Sequence, residues 1–244
     1  MASDTSGAER ARHPGFRNTS WRVVVPFKGA ANAKSRLAER YDPSTRAAIA
    51  VAMLRDTLNA VAGTPSVAGL VVVSSDPDLL SLLTYPGSSE GRVASVPVTV
   101  LPDPKAGLNP AISAGIDHAR AADADTHVAV VLGDLPALRS ADLAATLDMA
   151  RAHPRAFLPD TASTGTTMIT VSPGYRAEPL FGEGSAAAHA AAGFVALELP
   201  RNSGLRRDVD APRDLDSLLH PGPFTRVALA RMPVVDRPIG EPAG

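Results

Sequence analysis

Hydrophobic positions along the chain alternate between short unbroken runs and longer stretches with helical spacing. Residues 21–26, with Val23-Val24-Val25 at their centre, form an apolar run that reads as a strand, and a small-residue loop follows it. From Asp42 to Gly63 an Ala/Leu/Ile/Met-rich pattern predicts a helix, with Asp42 as its cap, Pro43 at its first position and Gly63 as its stop. Residues 69–74 are a continuous apolar run suited to a strand buried on both faces, and 76–83 predict a helix capped by Asp76. Strand at 97–101, helix at 109–122, strand at 127–132 and helix at 140–152 continue the pattern. Such an alternation predicts an α/β fold, a single doubly wound domain on a mainly parallel sheet covered on both faces.

The second half breaks this regularity. Runs at 155–159 and 165–172, joined by the turn-forming residues 160–164, predict a small β-hairpin insertion. A Gly-Glu-Gly-Ser turn at 182–185 opens an Ala-rich helix over 185–192, a strand follows at 194–199, and 210–219 predict the last clear helix of the core. Residues 1–20 are polar and broken by Pro14 and Gly15, which predicts a disordered lead-in. Proline-rich residues 221–244 predict a tail that wraps the domain or is partly mobile. The expected organisation is therefore a lead-in over 1–20, one domain over 21–220 and a tail over 221–244.

Composition narrows the chemistry. The formal net charge is −1, so the affinity of a nucleic-acid coat or a polybasic membrane anchor, which rests on a large positive excess, is not expected. No cysteine is present, which excludes disulfides, thiolate metal sites and cysteine nucleophiles. The first twenty residues lack the apolar core of a signal peptide, and no later apolar run is long enough to span a bilayer. A soluble cytoplasmic protein is expected, with no nucleic-acid or membrane partner; the sequence leaves its assembly open, a homodimer included.

Chemistry concentrates in loops. After the first strand, Lys28, Lys34 and Arg36 surround Gly29 and several alanines, a loop in which backbone N–H groups and cations can both meet polyphosphate. Neither a Walker loop nor a dinucleotide fingerprint is present. Asp134 in Gly133-Asp134-Leu135-Pro136 lies just past the carboxyl end of a buried strand, the edge where open α/β sheets bind ligands. A carboxylate there can hold Mg²⁺, whose remaining ligands come from water and substrate phosphates. Asp208 and Asp210 flank Val209, and the reading divides them, with Asp210 capping the helix near Pro212 and Asp208 facing a cleft as a metal ligand, or the reverse. Asn109, after Gly107, offers donor and acceptor to a base or ribose and is equally suited to cap a helix. Gly182 and Ser185 shape an anion-competent turn, with Thr166 and Thr167 supplying hydroxyls. The histidines show no zinc spacing, and no nucleophile elbow occurs. Carboxylates for Mg²⁺ beside three cations suit phosphoryl or nucleotidyl transfer, where positioning and charge neutralisation lower the barrier.

Taken together, VVVPFKGAANAKSRL, GLNPAISAG, VVLGDLPAL, GTTMIT, FGEGS and RRDVDAPRDL resemble the guanylyltransferases of coenzyme F420 biosynthesis, within the nucleotide-diphospho-sugar transferase-like fold. The resemblance covers residues 21–219. It implies a nucleotidyltransferase domain that moves GMP from GTP to the phosphate of a three-carbon acid and releases pyrophosphate. The acid is phosphoenolpyruvate in actinobacterial-type members, giving enolpyruvyl-diphospho-5′-guanosine, and 2-phospho-L-lactate in archaeal-type members; the Ala/Arg-rich composition leans towards the former. By motif, Thr167, Gly182 and Ser185 would bind the acid, Asp134 and Asp208 would hold Mg²⁺ with Asp210 as the alternative, and Asn109 would lie near the guanosine. Lys28, Lys34 and Arg36 would contact the triphosphate, and Lys28, Lys34 and Asp134 would carry catalysis. One departure is Ala211-Pro212-Arg213, where the family has Thr-Pro-Glu. GDLP also occurs in molybdenum-cofactor nucleotidyltransferases, which makes transfer to molybdopterin a rival reading, and a GTP sensor without turnover is another.

Overall fold

The computed structural model describes residues 20–30, 34–83, 92–93 and 96–232. The lead-in expected over 1–20 lies almost wholly outside the described residues, as do residues 233–244 of the tail. In chain order the elements are β1 (Trp21–Phe27), α1 (Pro43–Ala62), β2 (Val67–Ser74), α2 (Leu79–Leu83), β3 (Arg92–Val93), β4 (Val96–Pro102), α3 (Leu108–Ala122) and β5 (His127–Val131). There follow α4 (Ser140–Ala150), β6 (Arg155–Pro159), β7 (Thr166–Val171), α5 (Ser185–Ala191), β8 (Val195–Ala196), α6 (Pro212–Asp216) and α7 (Pro223–Ala230). The strands lie in the order β3-β4-β2-β1-β5-β7-β6-β8. β4, β2, β1 and β5 are mutually parallel, whereas the β6–β7 hairpin joins the same sheet through an antiparallel β5–β7 pair.

Burial explains why the central strands read as unbroken apolar runs. Val23 and Val25 pack with Leu54 and Leu58 of α1 and with Leu143 and Leu147 of α4 on one face. Val24 packs with Ile112 and Ile116 of α3, and with Phe181 and Phe194, on the other. Each such side chain withdrawn from water contributes about 1.5–3 kcal/mol. Gly115 lets α3 lie close on the sheet, because a Cβ there would run into the methyl groups of Val24 and Val73.

Several boundaries differ from expectation for identifiable reasons. Of the run expected at 194–199, only Val195 and Ala196 form strand, paired with β6, and Leu197 N adds one bond to the Phe157 carbonyl (2.8 Å) before the chain leaves the sheet. The sequence also offers Ser140 as the cap of the helix expected at 140–152, but its hydroxyl donates to the carbonyl of Ala60 at the end of α1 (2.7 Å), and Arg139 holds the cap position. The Asp76 carboxylate accepts from Asp78 N (3.1 Å) in a local turn, and α2 begins only at Leu79. Asn109 lies within α3, whose cap position is Gly107. Asp210 is not the cap of α6 either: the Asp214 carboxylate takes the N–H groups of Asp210 (2.9 Å) and Ala211 (2.7 Å). Within the expected tail, α7 packs along α1, and the buried Asp56 carboxylate accepts from Phe224 N and Thr225 N in its first turn (3.1 and 2.7 Å).

Candidate active site

The carboxyl ends of β1 and β5 open into a cavity of about 480 Å³ lined by Lys28, Lys34, Arg36, Asp134, Asp208 and Asp210. Six of the side chains singled out in the sequence are thus brought to one place from three distant stretches of chain. Leu37 explains how. It is fully buried among Ile49, Met53, Val209 and Leu215, which fastens the short 3-10 turn after the basic loop (Ser35–Glu39) against the acidic segment. Val209 N donates to the Asp134 carbonyl (3.1 Å), tying that segment to the end of β5. Thr57 of α1 steadies the same turn by accepting from Leu135 N (3.1 Å).

Asp208 and Asp210 face the same cavity rather than dividing between cleft and cap. The reason is geometric. In an extended chain, residues two apart point to one side, and the one between them, Val209, is buried on the other side. With Asp214 capping α6, Asp210 is left to the site.

The Lys34 ammonium joins this cluster, donating to Asp134 and to Asp210 (2.9 Å to the latter). Its backbone is left-handed (φ 57°, ψ 53°), a conformation that costs a residue with a side chain on the order of 1–3 kcal/mol. The side chains of Lys34 and Asp134 are only 11% and 21% exposed, against 52% for Asp210. Solvent therefore screens the Asp210 contact more, and the Asp134 contact is the stronger of the two. Burial works against the charge on Lys34, but the Asp134 and Asp210 carboxylates outweigh it and hold its pKa above the ordinary lysine range. Burial likewise opposes ionisation of Asp210, and Lys34, assisted by Arg36, overrides it and draws that carboxyl below its usual value. For Asp208 the balance reverses. Burial, followed by repulsion from Asp134 and Asp210, pushes its pKa up to about 7.

These features bear on whether a divalent cation suits the site. Among the described residues no three acidic or histidine side chains already converge as a metal cage; the positive charge between Asp134 and Asp210 is that of Lys34. The donor set nonetheless fits a hard cation, since Asp134 Oδ1 is buried without a hydrogen-bond partner and Asp208 is an acidic neighbour short of positive charge. Oxygen ligands of this kind are what Mg²⁺ takes.

A second group of predicted residues lies on the neighbouring part of the edge, around β7 and α5, and does not line the cavity. Thr167 is fully buried in β7, and its carbonyl accepts from Leu132 N (3.1 Å), a residue of the cavity wall. Ser185, also buried, begins α5, and its N–H donates to the Gly182 carbonyl (3.2 Å). Gly182 and Gly184 have φ of +138° and +69°, which is what places glycine there. Ala186 N donates to the Thr164 carbonyl (3.1 Å), so the hairpin turn and the start of α5 are joined.

Two hydrogen-bonded clamps hold this second region. Asn109 accepts from Phe181 N (2.8 Å) and donates to the Phe181 carbonyl (3.0 Å), so both ends of its amide are used on the loop before Gly182. His189, one of the histidines without zinc spacing, is fully buried. Its Nε2 accepts from Leu180 N (3.1 Å), which leaves Nδ1–H to donate to the Thr166 hydroxyl at 3.0 Å. Burial lowers its pKa, in keeping with that neutral tautomer. Arg206, which the sequence did not single out, donates to the carbonyls of Pro159, Leu199 and Asp160 (2.8–3.1 Å) and so pins the hairpin to the acidic segment. The one signal for Arg206 is its place in the charge-rich RRDVDAPRDL motif.

Among the described residues no helix is long and apolar enough to cross a membrane. Residues 21–191 match the family model described as "Guanylyl transferase CofC like". The chain is 43% identical over 241 residues to the phosphoenolpyruvate guanylyltransferase of Sanguibacter keddieii, covering 87% of this chain and 85% of that protein. It is 42% identical over 216 residues to the protein of the same name from Streptomyces coelicolor, covering 87% and 97%. Among solved structures, a Desulfovibrio desulfuricans protein provisionally described as a nucleotide-diphospho-sugar transferase shares the fold (TM-score 0.64, 17% identity, 86% of this chain and 94% of that one). So does the 4-diphosphocytidyl-2C-methyl-D-erythritol synthase of Anaerococcus prevotii (TM-score 0.52, 9% identity, 88% and 97%). The chain therefore belongs to the CofC-like guanylyl transferase family and is a nucleotidyltransferase built on the nucleotide-diphospho-sugar transferase fold.

Proposed function

We propose that the protein transfers GMP from GTP to phosphoenolpyruvate, forming enolpyruvyl-diphospho-5′-guanosine and pyrophosphate, with Mg²⁺ as its metal. The observation that carries this reading is the cavity in which Lys28, Lys34 and Arg36 meet Asp134, Asp208 and Asp210, with Asp134 Oδ1 buried and unpaired. The names of the relatives from Sanguibacter and Streptomyces supply the acceptor.

In this reaction an oxygen of the acceptor phosphate attacks the α-phosphorus of GTP, the bond from that phosphorus to the β-bridging oxygen breaks, and pyrophosphate leaves with the electron pair. The acceptor needs no general base, because the second pKa of a phosphate ester is about 6 and its oxygen is already anionic near neutral pH. What must be overcome is the repulsion between two polyanions. Lys28 and Arg36 receive the triphosphate, and Lys34, drawn off its carboxylates, adds its charge to the phosphates as negative charge builds on the leaving oxygen. Asp134 and Asp208, with Asp210 as the alternative, would hold the metal, which would supply charge neutralisation to the phosphates. Thr167, Gly182 and Ser185 receive the phosphate and carboxylate of the acceptor. The link from Thr167 through Leu132 to the cavity wall supports an acceptor placed beside the triphosphate.

The test is pyrophosphate release by purified protein with GTP, Mg²⁺ and phosphoenolpyruvate, with mass spectrometry of the products from a mixture that also holds both enantiomers of phospholactate. Release of pyrophosphate with the enolpyruvyl product supports the proposal. A phospholactate product would reassign the acceptor, and no release with any acid would overturn the activity.

A further inference from the structure

A second cavity of about 560 Å³ adjoins the charged one, and the two share Pro26, Phe27, Lys28 and Leu108 as a common wall. It lies over the carboxyl ends of β1, β2 and β4, and its other walls include Ser75, Asp103, Lys105 and Gly107. If the phosphates of GTP occupy the charged cavity, as the proposed function requires, the rest of the nucleotide has this adjoining space to enter past Lys28. Its volume falls within the range of sites that take molecules of such size, roughly 300–1,000 Å³.

The polar groups of this second cavity differ in what they can still do. Ser75 already donates its hydroxyl to the Lys28 carbonyl (2.7 Å). Asn109, the sequence-based candidate for the guanosine, spends both amide atoms on Phe181. Asp103 is half-buried, and its Oδ1 accepts from Lys105 N (2.8 Å), a turn that fixes the carboxylate against its own loop. Lys105 and Gly107 take left-handed backbone (φ 60° and 106°), so the loop bends tightly around the space. A carboxylate has two oxygens and about four acceptor positions, so Asp103 keeps acceptor capacity beyond that turn.

Guanine presents two adjacent donors, N1–H and the 2-amino group, to such a carboxylate. Adenine presents the N1 lone pair on the same edge and is repelled. We infer that Asp103 is the guanine-selecting residue of the second cavity, accepting N1–H and the 2-amino N–H of the base, with the Lys105 ammonium on the same wall available to O6. Hydrogen bonds to a charged group are the stronger kind, and removing a donor leaves the carboxylate partly unpaired.

The experiment compares nucleotides by direct calorimetric binding and by pyrophosphate release. The wild-type protein should prefer GTP over inosine triphosphate, which lacks the 2-amino group, by about 10- to 100-fold, and should reject xanthosine triphosphate, whose C2 carbonyl faces the carboxylate. In Asp103→Asn the amide can donate to that carbonyl while accepting N1–H, so the xanthosine-to-guanosine preference should rise by at least about 100-fold. A merely structural role would lower all nucleotides together. Wild-type protein that uses inosine and guanosine triphosphates equally overturns the assignment without any variant, as does a folded Asp103→Asn variant with an unchanged preference. Failure of the proposed acceptor reaction would look different, because GTP would still bind with the stated base preference while no pyrophosphate appeared.

Discussion

On the β1–β5 side of the carboxyl edge, like charges are crowded together: three carboxylates share one cavity, a lysine in left-handed backbone bridges two of them, and Asp134 Oδ1 has no partner. On the β7–α5 side, the Asn109 and His189 side chains each close two hydrogen bonds, and Thr167 and Ser185 are buried in neutral surroundings. The contrast teaches where free energy is held for chemistry. The first region gathers three cations and three carboxylates in one cavity and leaves a carboxylate oxygen unpaired, so under the proposed function removing its charges should harm turnover more than folding. The second is already satisfied, so its contribution is shape, and loosening it should weaken acceptor binding more than it slows the chemical step.

Substitution of the charged region is where the contrast predicts the largest effect. Asp134→Asn keeps the shape of the side chain and removes the proposed metal ligand and a negative charge, and turnover should fall by at least about a thousandfold. Thermal unfolding should stay within a few degrees of wild type, because Asp210 still holds the Lys34 ammonium and the loss of the charge relieves the repulsion on Asp208. A variant of normal turnover would remove Asp134 from the chemistry.

The quiet region should respond more mildly and in a different parameter. Asn109→Ala deletes the two bonds that hold Phe181, which should raise KM for the acceptor by about tenfold and leave kcat within a factor of a few. Loss of kcat with an unchanged KM would mean that the loop before Gly182 takes part in the chemical step.

The smallest effect belongs to a group outside both regions. Asp42 caps α1 by accepting from the hydroxyls and N–H groups of Ser44 and Thr45, and these bonds, the Ser44 hydroxyl first, hold its pKa below the ordinary aspartate value of 3.8. A depressed folded-state pKa contributes stability that is present above 3.8 and is lost as pH falls towards the lower folded value. Asp42→Asn should therefore flatten the decline of Tm on acidification below about pH 4 while altering Tm little near neutrality. An equally steep acid decline in the variant would place the effect elsewhere.

How much of this the sequence makes legible depends on whether local or distant groups decide. The parallel core reads clearly because the centres of strands such as β1 and β2, Val23-Val24-Val25 and Leu70-Val71-Val72-Val73, are buried on both faces and unbroken by polar residues. Lys28, Asp134 and Asp208 are legible too, since they follow strand-like runs or sit in loops with nothing structural to do. Asp210 is misread because the acceptor that caps α6 is four residues on, at Asp214, and two good caps in one segment cannot be ranked by type alone. The engagement of Asn109 is not legible for a different reason: its partner, Phe181, is 72 residues away in sequence, and no periodicity reports such a contact. Lys34 is legible as a cation of the site, yet its engagement with Asp134 and Asp210 could be known only from three-dimensional proximity.

The central claim, that the acidic side chains around Lys34 form the metal site, is tested most directly by titrating Mn²⁺ into nucleotide-free protein and counting bound ions by electron paramagnetic resonance. The account predicts one saturable ion in the wild-type protein and its loss in Asp134→Asn; equal binding by the two proteins would contradict it.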